Sequence, residues 1–309
     1  MVLRKAGDSD NRTVFEDDED RFKDGELRRN GGEKRVKILF CTPLFFFPGK
    51  NPKSSYLQHP YMDEFSRHKK IDAHTHIGNF GSPFNVNFDM NRLLSQMENF
   101  NIEKTILCPA AYMLNEEVNA AYKAYPDKVI PLCWVNANLG DAAVAELEHY
   151  LRDEGFAGVK MQPLFDGFTA DSPLVDPIME TARKYKKPVF IHCGHPPFSL
   201  PWQIGLLAER HPDVPIVMIH MGHGHGVYID ASITMAKKYD NLYLEVSGMP
   251  MGCQIKNAYE TVGADRVMFG IDSPFHHPSV EIQRVLSCGL SEDALENVFY
   301  NNAAAFMGL

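Results

Sequence analysis

Ile71-Asp72-Ala73-His74-Thr75-His76-Ile77-Gly78 is a short apolar run that delivers two histidines, two positions apart, at the end of an expected strand. Strand side chains alternate faces with period two, so His74 and His76 point the same way and can share one metal ion. The pair alone carries little weight. With 13 histidines in 309 residues, chance supplies a His-x-His pair roughly half a time per chain. His223 and His225 form a second such pair. The surrounding chain has to distinguish them.

From Lys70 onward, β-rich apolar runs alternate with helical segments, the pattern of βα units around a parallel sheet. Eight strands are expected at about 71–74, 104–108, 129–135, 158–161, 188–192, 215–220, 241–246 and 266–271. Helices are expected over 141–154, 176–186, 202–210, 229–239 and 279–286, with a last one over 292–307 closing the ring. Eight units in about 235 residues match a (β/α)₈ barrel of roughly 250. A doubly wound sheet would place a glycine-rich phosphate loop after the first strand, and His-Thr-His-Ile-Gly-Asn is not one. The fold class is therefore α/β, a (β/α)₈ TIM barrel over 70–309 with an N-terminal extension. Residues 1–36 read as a polar, solvated arm, and residues 37–69, with their Leu44-Phe45-Phe46-Phe47 cluster, as an apolar and aromatic extension packing on the barrel.

Composition narrows the partners. A net charge of −9 excludes a basic nucleic-acid footprint and leaves a small-molecule substrate as the expected partner. Six scattered cysteines with no Cys-x-x-Cys suggest neither a zinc knuckle nor a disulfide framework, and most of them read as reduced, buried thiols. No apolar run reaches the ~18 residues of a membrane span, and the first residues lack an apolar signal core. The expectation is a cytoplasmic protein with no membrane partner; a homo-oligomer is compatible with the sequence.

Catalytic groups of such barrels come from the C-terminal ends of several strands, which share one mouth. His74 and His76 end the first expected strand, Lys160 the fourth, His192 the fifth, His220 the sixth, and Asp272 follows the eighth. Imidazoles and a carboxylate that recur at one structural position form the ligand set of a catalytic divalent ion.

At these residues the chain resembles the amidohydrolase superfamily, and most of all its amidohydrolase-related branch, which includes enzymes like aminocarboxymuconate semialdehyde decarboxylase. The resemblance runs from Lys70 to the C-terminus. It rests on Asp72-Ala73-His74-Thr75-His76, Gly158-Val159-Lys160, Ile191-His192, Ile219-His220-Met221-Gly222 and Phe269-Gly270-Ile271-Asp272-Ser273-Pro274. It implies that His74, His76, His192 and Asp272 bind a divalent metal, zinc by expectation, with His220 beside it as an acid/base or a second ligand. Asp272 and His220 are the implied catalytic pair. In two-metal members a lysine ending the fourth strand is carboxylated and bridges the ions. Lys160 stands there, so it is a ligand only in that case, and one ion is favoured over two. Relatives often carry histidine two positions beyond this lysine, where this chain has Gln162. Gln162, Phe165, His195, Trp202 and His223 are expected at the substrate; His276 and His277 are placed equally well at the mouth or on the surface.

The leading expectation is a metal-dependent hydrolase whose metal-bound hydroxide attacks a C–O or C–N bond of a small molecule. The alternative is a metal-dependent, non-oxidative decarboxylase of an unsaturated or aromatic acid, which needs the same ligands. Substrate-binding arginines would favour it, and none occurs between Arg92 and Arg152. A non-catalytic metal-binding scaffold barrel is the third reading; it predicts that a His76→Ala variant keeps its biological role.

Overall fold

A computed structural model describes residues 60–309. The expected arm, and residues 37–59 of the expected extension, lie outside the described residues. The strands are β1 (Lys70–Phe80), β2 (Val86–Phe88), β3 (Ile102–Pro109), β4 (Val129–Trp134), β5 (Gly158–Met161), β6 (Val189–His192), β7 (Ile216–Ile219), β8 (Leu242–Glu245) and β9 (Val267–Met268). They form one sheet in the order β2-β1-β3-β4-β5-β6-β7-β8-β9. Only β2 is antiparallel to its neighbour, making a hairpin with the end of β1.

The sheet closes on itself beyond β9. Ala73 N–H donates to the Phe269 carbonyl at 2.9 Å, Asp272 N–H to the His74 carbonyl at 2.7 Å, and His76 N–H to the Ser273 carbonyl at 2.9 Å. Eight parallel strands thus complete a (β/α)₈ barrel. The short β9 reflects this closure, because the backbone past Met268 bonds to β1 singly and not as a regular ladder.

Alternation along the strands sorts two apolar layers. Val189, Ile191, Ile216 and Met218 pack outward with helix residues such as Ile204, Leu207 and Ile229. Ile71, Ala73, Ile106, Leu132, Phe190 and Val217 fill the interior, with Ala303, Phe306 and Met307 packed against them from the C-terminal helix. That helix therefore plugs the lower end, its Phe306 ring 6.0 Å from that of Phe190. The expected helix over 292–307 runs as Glu292–Glu296 and Asn302–Met307 joined by a π-helical turn, Asn297–Asn301. Lys70, fully buried, ties the same end together: its Nζ donates to the carbonyls of Phe65, His68 and Phe100 at 2.7, 2.5 and 3.0 Å. No helix among the described residues is long and apolar enough to cross a membrane.

One irregularity positions the site. The β1–β3 register shifts between Asp72 and Thr75. Ile71 and Ala73 belong to the interior layer, and the bulge re-aims the chain so that His74 and His76 also face the barrel axis.

Candidate metal centre

Six strand ends contribute to the mouth. His74 and His76 come from β1, Lys160 from β5, His192 from β6 and Glu245 from β8, while His220 follows β7 and Asp272 follows β9. All seven side chains are buried. His76 Nε2 lies 3.0 Å from His74 Nε2 and 3.6 Å from Asp272 Oδ1. His74 Nδ1 is 3.5 Å from that same oxygen, and His220 Nε2 is 3.9 Å from Asp272 Oδ2. Lys160 Nζ stands 3.2 Å from His74 Nε2. Among the described residues, two sets converge closely enough for one ion: His74, His76 and Asp272, and His74, His220 and Glu245. His192 is in neither set; its Nε2 meets His195 Nδ1 at 2.6 Å, and its ring stands 4.7 Å from that of His220.

The hydrogen bonds of these rings test whether a metal fits. His76 Nδ1 faces the Pro109 carbonyl at 2.9 Å, and His220 Nδ1 faces the Ser247 carbonyl at 2.9 Å. A carbonyl only accepts, so each ring carries its proton on Nδ1 and leaves Nε2 as a lone pair. Burial keeps the rings neutral: it pushes His76 down to about 3 and His74, His192 and His220 well below the usual range. Burial also drives the Asp272 carboxyl well above its ordinary value, against the opposing pull of Lys160. The His76 lone pair thus lies 3.6 Å from an Asp272 oxygen that His74 also approaches at 3.5 Å, and a divalent cation is a partner that satisfies this set. The donor set fits the metal, with His74, His76 and Asp272 as the residues that would hold it.

Supporting residues fix the ligands. Asp72 Oδ1 accepts from His74 N–H at 3.2 Å and Ile271 N–H at 2.9 Å, and Oδ2 accepts from the Thr75 hydroxyl. Glu245 Oε1 accepts from Ser247 N–H at 2.6 Å, and Oε2 from His220 N–H at 3.1 Å and the Ser247 hydroxyl at 2.8 Å. Gly270 lies against this carboxylate, and a Cβ there would overlap Oε1. His220, His223 and Asp272 adopt φ of 67°, 56° and 62°. For non-glycine residues this left-handed backbone costs on the order of 1–3 kcal/mol, which surrounding contacts must offset.

Above the ligands opens a cavity of about 690 Å³ with two unlike walls. One is aromatic. Phe80 and Phe275 each stand 6.1 Å from the His76 ring, and Phe84 extends the wall outward, 4.8 Å from Phe275 and 6.3 Å from Phe165. Trp134 joins it, its indole N–H donating to Asp166 Oδ2 at 2.9 Å. The other wall is imidazole, built from His192, His195, His220, His223 and His276. Gln162 lines the cavity too; it is 5% exposed, and its Oε1 has no hydrogen-bond partner among the described residues. Among the described residues, no lysine or arginine belongs to the lining. Of the residues expected at the substrate, Gln162, Phe165, His195 and His223 line this cavity. Trp202 lies outside it, its ring packed 6.1 Å from Tyr228.

Sequence reasoning passed over Asp72 as a supporting residue and missed Glu245, Ser247 and the Phe80–Phe275 wall. One signal was available for Glu245: a lone carboxylate at the end of the apolar run Leu242-Tyr243-Leu244, where a buried charge needs partners.

Solved structures with the same fold include 2,6-dihydroxybenzoate decarboxylase from Rhizobium, 17% identical, covering 78% of this chain and 99% of that one with a TM-score of 0.63. 5-Carboxyvanillate decarboxylase from Novosphingobium aromaticivorans, complexed with manganese, is 16% identical, with coverages of 78% and 96% and a TM-score of 0.63. An uncharacterized TIM-barrel protein from Bordetella bronchiseptica is 20% identical, with coverages of 78% and 98% and a TM-score of 0.65. At these identities the likeness establishes the barrel. The family is established by a sequence model described as amidohydrolase, which matches residues 71–309 and so takes in every candidate ligand from His74 to Asp272. The chain belongs to the amidohydrolase family.

Proposed function

We propose that the protein is a metal-dependent decarboxylase of a small aromatic or unsaturated carboxylic acid. The observation that carries this reading is the aromatic wall of Phe80, Phe275 and Phe84 rising directly from the ligand His76. Such a wall takes a planar ring by edge and offset contacts, each worth about 0.5–1.5 kcal/mol beyond area burial. Among the described residues the lining holds no lysine or arginine, which leaves the base, where His74, His76 and Asp272 converge, as the place for a carboxylate. When bound there, the divalent ion supplies positive charge to hold that carboxylate or an adjacent oxygen. As carbon dioxide leaves, the electron pair of the broken C–C bond stays on the ring carbon, which then takes a proton. His220 Nε2 and Asp272 Oδ2, 3.9 Å apart, face each other at the base and can carry that proton. Gln162 Oε1 offers an acceptor for a hydroxyl on the ring. Lys160 serves as an amine beside His74 in this one-ion reading. Structural neighbours that decarboxylate dihydroxybenzoate and carboxyvanillate support the proposal, and the manganese in one of them makes manganese a candidate beside zinc.

A lining without lysine or arginine among the described residues favours one second reading, hydrolysis of an uncharged ester, lactone or amide by the same residues. Protein reconstituted separately with Mn(II) and Zn(II) should be given a panel of hydroxylated benzoic acids and a panel of neutral esters, lactones and amides. Carbon dioxide release from the first panel, with one solvent deuterium appearing on the ring carbon, is the expected outcome. Uptake of solvent ¹⁸O into products of the second panel, without carbon dioxide from the first, would replace decarboxylation with hydrolysis.

A further inference from the structure

The two converging sets share His74, which raises the question of what Glu245 does. Its oxygens already accept three hydrogen bonds, one at Oε1 and two at Oε2. A carboxylate offers about four acceptor sites. Gly270 packs against Oε1, where a Cβ would overlap it. Most of the acceptor capacity of Glu245 is thus already taken up by protein donors. The residue is wired to the candidate ligands: its Oε2 lies 3.9 Å from His74 Nδ1, it fixes the His220 backbone, and it orients the Ser247 hydroxyl, which reaches His220 Nδ1 at 3.0 Å and stands 3.4 Å from His74 Nδ1.

We infer that Glu245 is not a ligand of a second ion but a positioning residue, whose carboxylate sets the orientation of His74 and His220 through Ser247 and the His220 backbone. The inference rests on the metal-centre reading above and is independent of which reaction the centre performs. Partners of this kind, behind the direct ligands, alter metal affinity about 10–100-fold when removed.

The test uses the full-length protein, Mn(II) and Co(II) alone as probes, and the variants Glu245→Gln, Glu245→Asp and Ser247→Ala. Stoichiometry comes from elemental analysis, affinity from chelator competition, and ligand geometry from the Co(II) visible spectrum. The wild type should bind one equivalent. Glu245→Gln should still bind one, about 10–100-fold more weakly and with a changed Co(II) spectrum, and Glu245→Asp should recover part of the loss. Ser247→Ala leaves the carboxylate in place; it should weaken binding and shift the same spectral bands even if Glu245→Gln does not fold. Two equivalents in the wild type, one of them lost in Glu245→Gln, would make Glu245 a ligand and overturn the inference. Unchanged affinity and spectrum in both Glu245→Gln and Ser247→Ala would overturn it as well. A wild type that takes up no ion would remove the metal centre itself and the inference with it.

Discussion

Asp72 and Ile271 stand 199 positions apart, and the Ile271 amide donates to Asp72 Oδ1 at 2.9 Å. The same oxygen accepts from His74 N–H at 3.2 Å. One carboxylate thus joins the first barrel strand to the segment that closes the barrel, close to the candidate ligands His74 and Asp272. Asp72→Ala leaves two buried backbone donors and the Thr75 hydroxyl without an acceptor, and each orphaned group costs about 1–3 kcal/mol. The variant should lose on the order of 3 kcal/mol or more in urea unfolding and should bind Mn(II) more weakly where still folded. Unfolding indistinguishable from the wild type would show that the closure is held elsewhere.

Gln162 presents to the cavity a buried Oε1 that has no hydrogen-bond partner among the described residues. A buried amide without partners destabilises the folded state, and its value lies in what it accepts from a bound molecule. Gln162→Leu should therefore keep or raise the melting temperature while lowering kcat/KM for a hydroxylated acid about 10-fold or more. An acid lacking the hydroxyl should be affected little. Equal losses on both acids would detach Gln162 from hydroxyl recognition.

Asp166 titrates within reach of ordinary buffers. Burial raises its carboxyl from 3.8 to about 6, although the Trp134 N–H and Lys160 pull it down. Between pH 4 and 6 the folded state keeps a proton that the unfolded chain has released, so this group's contribution to stability falls as pH rises through that window. Asp166→Asn still offers Trp134 an amide oxygen and has no charge to bury. It should raise the melting temperature at pH 7.5, by an amount equivalent to about 1 kcal/mol after allowance for partial solvent screening, with the difference vanishing near pH 4. A constant difference across pH 4–8 would mean that packing, not charge, sets the effect.

Lys70 donates to three backbone carbonyls at the end of the barrel opposite the ligands. Lys70→Met fills similar space but leaves those carbonyls unpaired, for a loss of roughly 2–5 kcal/mol. Because the site lies at the other mouth, metal affinity of the folded fraction should be unchanged. Calorimetry paired with metal titration separates the two, and a parallel loss of affinity would reveal coupling between the ends of the barrel.

Periodicity alone revealed much of this protein. The alternation of β-rich and helical runs located seven barrel strands to within a few residues, because a strand buried between helices and a packed interior has to be continuously apolar, while β1 runs on to Phe80, well past its expected end at 74. The strand-end positions of His74, His76, Lys160, His192, His220 and Asp272 followed from that count. What the sequence could not supply was geometry set by contacts distant along the chain. Period two brings His74 and His76 to one face, but the bulge between Asp72 and Thr75, which aims them into a mouth whose interior layer also holds Ala73, exists only in the pairing with β3. His192 ends its strand as expected, yet whether its Nε2 turns to His195 or toward His74, His76 and Asp272 is a rotamer choice. Glu245 resembles any strand-end acid until His220, Ser247 and Gly270 are brought around it. The opening motif thus determined which atoms could bind a metal; barrel closure, 199 residues later at Ile271, decided how they face one another. Local pattern fixes which side chains share a face, and only tertiary packing sets the ångström-scale orientation on which coordination depends.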